Sequence, residues 1–432
     1  MQRTMKALAL AAGAALLLTA CQAGGGGQQS ASPSTNPDEK VELQFQSLAY
    51  QPGTVAAVEE IVNAWNAANP NTHVVLSQAS WDGVHDQLVT QFQGKNAPDV
   101  IHNEAGDMTG FAQQGYLADL GPYLSEDLKT GVRAEWWDAL TFDGSVFAAP
   151  IMMQSYVVFA NTKAFADAGV EIPTGDSLSW EELATISKAL TKDGKYGLGW
   201  GLAAPFAPFT NLALGFGGTF LDVAPDGSAT VNIGDPEVAV AKAVHSMAYD
   251  DKSIKPTTLT LSGGDTLPGF LAGEFGMYIG GTFLAAQIAE SAPDGFEWTV
   301  LPPLAGSEGA LQAATPQTLS VSIDSQHVDR ATEFINFFLS GENAAKLALG
   351  DLLVPASTQG QEALAALTTG QPGWEGIAAS GATLVPAPFT NAANLTQWKD
   401  QYGQPAFKSY LANEIDIEEL KTQLTDGWNQ IR

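Results

Sequence analysis

The regular alternation of strand-like and helix-like stretches between Val41 and Ile101 constrains this chain more than any other feature. Val41 to Leu48 carries the period of two that a strand imposes, and Val55, Val58, Ile61, Val62 and Trp65 then recur at helical spacing. Thr72 to Ser77 reads as a second strand. Val84 to Phe92 reads as a second helix with Leu88 and Val89 inward, and Asp99-Val100-Ile101 as a short buried third strand. Such alternation predicts a parallel, doubly wound sheet. Ligands of such sheets bind in loops beyond the carboxyl ends of the strands. Here those loops are Ala49 to Gly53, Ala79 to Gly83 and His102 to Asp107. Trp65, sitting at apolar helical spacing, reads as core.

Further along, Phe142-Asp143-Gly144-Ser145 is a hairpin signal, because Asp-Gly readily adopts the positive φ angles of a tight turn. Strand-like sequence runs from Pro150 to Phe159, and helices are expected at Trp180 to Leu190 and Pro236 to Tyr249. A Gly-, Pro- and aromatic-rich segment, Gly197 to Gly218, divides them. Leu319 to Ile323, followed by Ala331, Phe334, Ile335, Phe338 and Leu339, repeats the strand-to-helix pattern.

The N-terminus reads as a targeting segment. Arg3 and Lys6 precede an apolar run, Ala7 to Leu18, that is too short to span a bilayer. Leu18-Thr19-Ala20-Cys21 resembles the lipobox of bacterial lipoproteins, with the chain's one cysteine as the acylated residue. Residues 1–20 are therefore expected to be a signal peptide. Residues 21–40, rich in Gly, Gln, Ser, Pro and Asn, are expected to form a flexible tether behind Cys21. With that cysteine used as an anchor, no thiol remains for a disulfide or a thiolate zinc site. Stability must come from a core, and 432 residues suffice for two domains at roughly 150 residues each.

Charge narrows the partners. The formal net charge is −28, and loss of Arg3 and Lys6 takes it to −30. Such a surface repels nucleic acid and anionic lipid, so contact with the membrane is expected only through the lipid anchor. Beyond the targeting segment the only arginines are Arg133, Arg330 and Arg432. Anionic ligands are usually held by arginine or lysine, so a neutral cargo is favoured.

Four blocks in order resemble the family 1 extracellular solute-binding proteins, the maltose-binding-protein-like group. The first is Ala97-Pro98-Asp99-Val100 with Gly115-Tyr116-Leu117-Ala118-Asp119-Leu120. The second is Gly144 to Asn161, similar to the family's first interlobe crossing. Phe270 to Met277 with Gly280-Gly281-Thr282-Phe283 resembles the segment around a ligand-stacking aromatic, usually Trp in the family. Ala331 to Leu349 with Pro355 resembles the late helix pair before the last crossing. The resemblance implies an α/β, two-lobe periplasmic-binding-protein fold of type II with a hinge between lobes. It implies 41–150 plus 312–352 as lobe one, 156–311 plus 356–432 as lobe two, and 151–155 and 353–355 as hinge crossings. It further implies a monomer that captures a solute and delivers it to the transmembrane subunits of an ABC permease.

A sugar offers apolar C–H faces and a rim of hydroxyls, which call for flat aromatic surfaces and carboxylate or amide partners. Lobe one supplies Tyr50, Trp81, Asp82, Asn103, Glu104 and Asp107. Lobe two supplies Tyr156, Phe206, Asn211, Gly281, Phe283 and Asn391. Glu104 and Asp107 read equally as solvated surface carboxylates, and Asn391 as part of a turn. Three alternatives stand beside this reading. Carboxylates with aromatics also suit a polyamine. A glycerol phosphate or a metal is a further cargo; His73, His85 and His102 carry nitrogen, but their spacing matches no metal motif. A secreted glycan-active enzyme would need a carboxylate pair, which the sequence does not identify. No cofactor motif, Gly-x-Ser-x-Gly, His-Glu-x-x-His or P-loop occurs.

Overall fold

The computed structural model describes residues 39–431 apart from Pro225. The signal peptide 1–20, the acylation site Cys21 and all but the last two residues of the tether 21–40 lie outside the described residues.

Strand β1 (Val41–Ser47) leads to helix α1 (Pro52–Ala68), β2 (Thr72–Gln78), α2 (Val84–Gln93), β3 (Val100–Glu104) and α3 (Ala105–Gln113), in the order the periodicity predicts. β1 lies between β2 and β3 and runs parallel to both. The hairpin follows at Thr141–Phe142 and Ser145–Val146, with Asp143 and Gly144 both at positive φ. Then β4 (Ala149–Met153) passes with two intervening residues into β5 (Tyr156–Asn161).

β5 belongs to a second sheet with β6 (Tyr196–Trp200), β7 (Phe275–Gly281) and β8 (Trp298–Val300), in the order β8-β5-β7-β6. Helix α4 (Phe206–Ala213) lies between β6 and β7 in the chain. The chain returns through β9 (Gln312–Ala314) to β10 (Gln317–Val321), helices α5 (Val328–Phe338) and α6 (Gly341–Asp351), and β11 (Val354–Pro355). Helix α7 (Trp374–Gly381) then precedes β12 (Leu384–Pro386). The first sheet runs β11-β4-β10-β3-β1-β2.

Within the first sheet the expectation of a parallel sheet holds only for β1, β2 and β3. β10 runs antiparallel to β3, and β4 and β11 extend the sheet antiparallel to their neighbours. The physical reason is connectivity: β10 enters from the second sheet rather than from a crossover helix on the first.

Each sheet has its own core. Phe45 on β1 meets Phe334 and Phe338 of α5 edge to face at 5.5 and 5.4 Å, and Trp65 of α1 meets Phe334 at 5.5 Å. Trp65 is buried there, as its spacing predicts. Each buried ring of this kind contributes roughly 1.5–3 kcal/mol. The second core gathers Trp180, Trp200, Phe209, Trp398 and Trp428. A third cluster joins α6 to the second sheet, packing Ala345 and Ala348 with Phe159, Tyr278 and Trp374.

A further short strand pair lies between the cores. β9 and β12 pair in parallel, and their side chains divide between the cores: Ala314 and Leu384 enter the first and Ala313 the second, which Ala387, just past β12, also enters. This short strand pair straddles both bodies.

Candidate functional site

β3 runs into α3 without a loop, which places Asn103, Glu104 and Asp107 on one corner. Buried Asn103 organises it: Oδ1 accepts from the Glu104 N–H at 2.8 Å, and Nδ2 donates to Asp107 Oδ2 at 3.3 Å. The other Asp107 oxygen lies 3.5 Å from His85 Nδ1. The Glu104 side chain, at the start of α3, makes no capping bond and reaches solvent. Protein nevertheless surrounds it closely enough for burial to raise its carboxyl pKa; the charge of Asp107 raises it further, and that of Lys399 lowers it. Its carboxylate is thus accessible to solvent and yet crowded by protein. Lys399 opens a π-helical turn, Lys399–Gly403, a distortion that recurs at functional sites.

The first crossing adds to the same place. Burial raises the Tyr156 hydroxyl pKa, and the charge of nearby Glu104 raises it further. Gln154 Nε2 donates to Tyr156 Oη at 3.4 Å. The Tyr156 backbone is held by fully buried Gln312, whose Oε1 accepts from Tyr156 N–H at 2.9 Å and whose Nε2 donates to its carbonyl at 3.0 Å. Gly281 pairs with Tyr156 across β7 and β5. A Cβ at Gly281 would stand 2.6 Å from the Phe283 ring and 3.2 Å from Gln154 Oε1, so glycine is what lets that ring lie flat here. Phe283 is half-buried and packs against both the first core and the cluster that joins the sheets.

Trp81 and Tyr50 bring aromatic surface from the strand ends. Trp81, half-buried, meets the His102 ring edge-on at 5.6 Å, while Asp82 beside it is exposed. Tyr50 is 73% exposed. Asn391 reaches the opposite rim, where Thr109 Oγ1 of α3 donates to its Oδ1 at 3.2 Å and Gln113 Nε2 to its carbonyl at 3.4 Å. The two bodies therefore touch across the cleft in this structure.

Phe206 requires correction. It is 3% exposed, edge-on to Trp398 and Phe407 within the second core, and presents no face to a ligand. Asn211 lies half-buried on the same helix, α4, and no hydrogen bond joins it to the Glu104 group among the described residues. His102 is also structural. Its Nδ1 accepts from Leu48 N–H at 3.1 Å, so Nε2 carries the proton and donates to Gln317 Oε1 at 2.9 Å. Burial pushes its pKa down to about 4. Among the described residues no three His, Cys, Asp or Glu side chains come together as metal ligands.

Sequence reasoning missed Gln154, Gln312 and Lys399. Glu104 and Asp107 carry acceptors, Tyr156 and Lys399 donors, and Tyr50 and Trp81 aromatic rings. That combination matches a ligand with many hydroxyls and apolar faces.

A family model described as bacterial extracellular solute-binding protein matches residues 49–345. An uncharacterized lipoprotein in the oleD 5′ region of Streptomyces antibioticus is 39% identical over 392 residues, covering 90% of this chain and 87% of its own. The diacetylchitobiose-binding protein of Streptomyces coelicolor is 29% identical over 378 residues, 83% of this chain and 79% of that one. An ABC substrate-binding protein of Listeria monocytogenes, solved in complex with cycloalternan, superposes with a TM-score of 0.75 at 23% identity. That likeness covers 91% of this chain and 99% of the other, and it shows the fold: two α/β lobes of the maltose-binding-protein type.

Proposed function

The chain belongs to the bacterial extracellular solute-binding protein family, and from that premise we propose that it captures a neutral sugar or oligosaccharide between its lobes and delivers it to an ABC permease. In this reading 41–150 with 312–352 forms one lobe and 156–311 with 356–432 the other. Segments 151–155 and 353–355 are hinges, and Cys21 carries the lipid that holds a monomer at the outer face of the membrane. The observation that carries the proposal is convergence: the charge of Glu104 in one lobe acts on Tyr156, and that of Lys399 acts on Glu104, both partners coming from the other lobe. The printed ligands of two relatives, diacetylchitobiose and cycloalternan, are both carbohydrates and support the same class.

Closure follows from differential affinity. The open form exposes two half-sites, and a solute that bridges them raises the closed population only by its preference for the closed form. The family and its structural neighbours are binding proteins. Glu104 and Asp107 serve here as hydrogen-bond acceptors for hydroxyls rather than as an acid and a base.

The acidic corner keeps a polyamine as the competing cargo, and the charge of Lys399, which acts on the same Glu104 carboxylate, argues against it. A thermal-shift panel of N,N′-diacetylchitobiose, maltotriose, monosaccharides and spermidine separates the two. A sugar at 100 times its Kd adds about 2.7 kcal/mol of stability, and its affinity hardly changes with salt. Stabilisation by spermidine alone, collapsing as salt rises, would overturn the proposal.

A further inference from the structure

Helix α1 has no cap of its own. Gln51 at its N-cap makes no side-chain bond to the first turn, and Pro52 follows. The helix start is instead met by a carboxylate from far along the chain. Thr54 Oγ1, wholly buried, donates to Asp351 Oδ1 at 2.5 Å, and the Gln51 backbone N–H donates to the same carboxylate. The backbones there touch. A Cβ at Gly350 would stand 2.4 Å from the Thr54 nitrogen, and one at Gly53 3.0 Å from the Gly350 Cα, so the approach exists only because both are glycine. Asp351 is 7% exposed, and burial raises its pKa to about 6 against the opposing pull of its two donors.

Two functional segments leave this knot. One residue before Gln51 stands the open ring of Tyr50. One residue after Asp351, Leu352 takes a left-handed turn at φ +52, and β11 then pairs Val354 with Met153 and Pro355 with Met152. Those two methionines lead directly into Gln154 and Tyr156.

We infer that Asp351 is a positioning residue for ligand binding, which ties the Tyr50 loop of lobe one to the hinge strand Val354–Pro355 so that the two move as one body. This role rests on the reading of the cleft as the ligand site, but its test need not.

Hydrogen exchange on the ligand-free protein decides it. Asp351→Ala is expected to speed exchange about ten-fold in both 49–55 and 352–356, with β7 unchanged, while Asp351→Asn, which keeps an acceptor, moves both segments less than about three-fold. Faster exchange confined to 49–55 would overturn the inference, since a simple helix cap does no more. Should Asp351→Ala fail to fold, Thr54→Val removes one of the two donors and is expected to speed both segments about three-fold; an effect on 49–55 alone would again overturn the inference. With N,N′-diacetylchitobiose, Asp351→Ala is expected to raise Kd about five-fold and Asp351→Asn less than two-fold. An equal Kd in Asp351→Ala and wild type would sink the positioning role. Absence of sugar binding by the wild type itself counts against the proposed function, and the exchange result stays interpretable.

Discussion

Replacing Gln312 with alanine tests the hinge directly. Its side chain makes two hydrogen bonds, of 2.9 and 3.0 Å, to the N–H and carbonyl of Tyr156, from a position with no solvent exposure. Each bond contributes about 1 kcal/mol net. Removing the amide also leaves two backbone groups without partners, at about 1–3 kcal/mol each, so the expected loss is about 2–6 kcal/mol. Water entering the space left by the side chain brings the figure toward the lower end. Gln312→Met keeps most of the volume and removes the bonds, so it separates the hydrogen-bond cost from the cavity cost. Urea denaturation with an unchanged m-value reads the loss. Tyr156 shifts with its backbone, so affinity for a bound sugar falls in the same variant. A loss below about 0.5 kcal/mol in Gln312→Met would refute the view that this side chain fastens the crossing.

Three further outcomes are expected. Trp81→Ala weakens sugar binding by about 1–3 kcal/mol in calorimetric titration, the range for lost aromatic stacking and burial, and an unchanged Kd removes Trp81 from the site. His102, with its folded pKa lowered from 6.5 to about 4, stays neutral while the unfolded chain protonates. It therefore costs stability as pH falls from 6.5 toward 4, up to roughly 3 kcal/mol, and His102→Gln flattens that limb of a pH–stability curve. Asp351 acts with the opposite sign: its folded pKa is raised from 3.8 to about 6, so its contribution is full below pH 3.8 and lost as pH rises through 6. Asp351→Asn is accordingly more stable than wild type at pH 7.5 by thermal denaturation, by up to roughly 3 kcal/mol, and a less stable variant would contradict the burial argument.

The first lobe was legible because its elements obey one period each. Val41 to Ile101 sorts into strands and helices whose bounds shift by only a few residues in the structure, and β3 extends on to Glu104. Helix Trp180–Leu190 falls where its spacing places it. The segment around Phe206 misleads because its prolines mimic a loop. Pro208 sits in the first turn of α4, where proline costs no hydrogen bond, and Phe206, Phe209, Leu212 and Ala213 then bury one helical face. The hinge is illegible for another reason. β9 and β12 hold three residues each, and adjacent Ala313 and Ala314 of β9 enter different cores, so no amphipathic period survives. Gln154, Gln312 and Lys399 carry no local signal at all; only the fold brings their side chains to Tyr156 and Glu104.

Small-angle scattering at matched protein concentration, with and without a saturating sugar from the panel, tests the central claim most directly. Closure around a neutral ligand predicts a smaller radius of gyration with that sugar and the same Kd at low and high salt. A profile unchanged by every carbohydrate, with compaction by spermidine instead, would contradict the account.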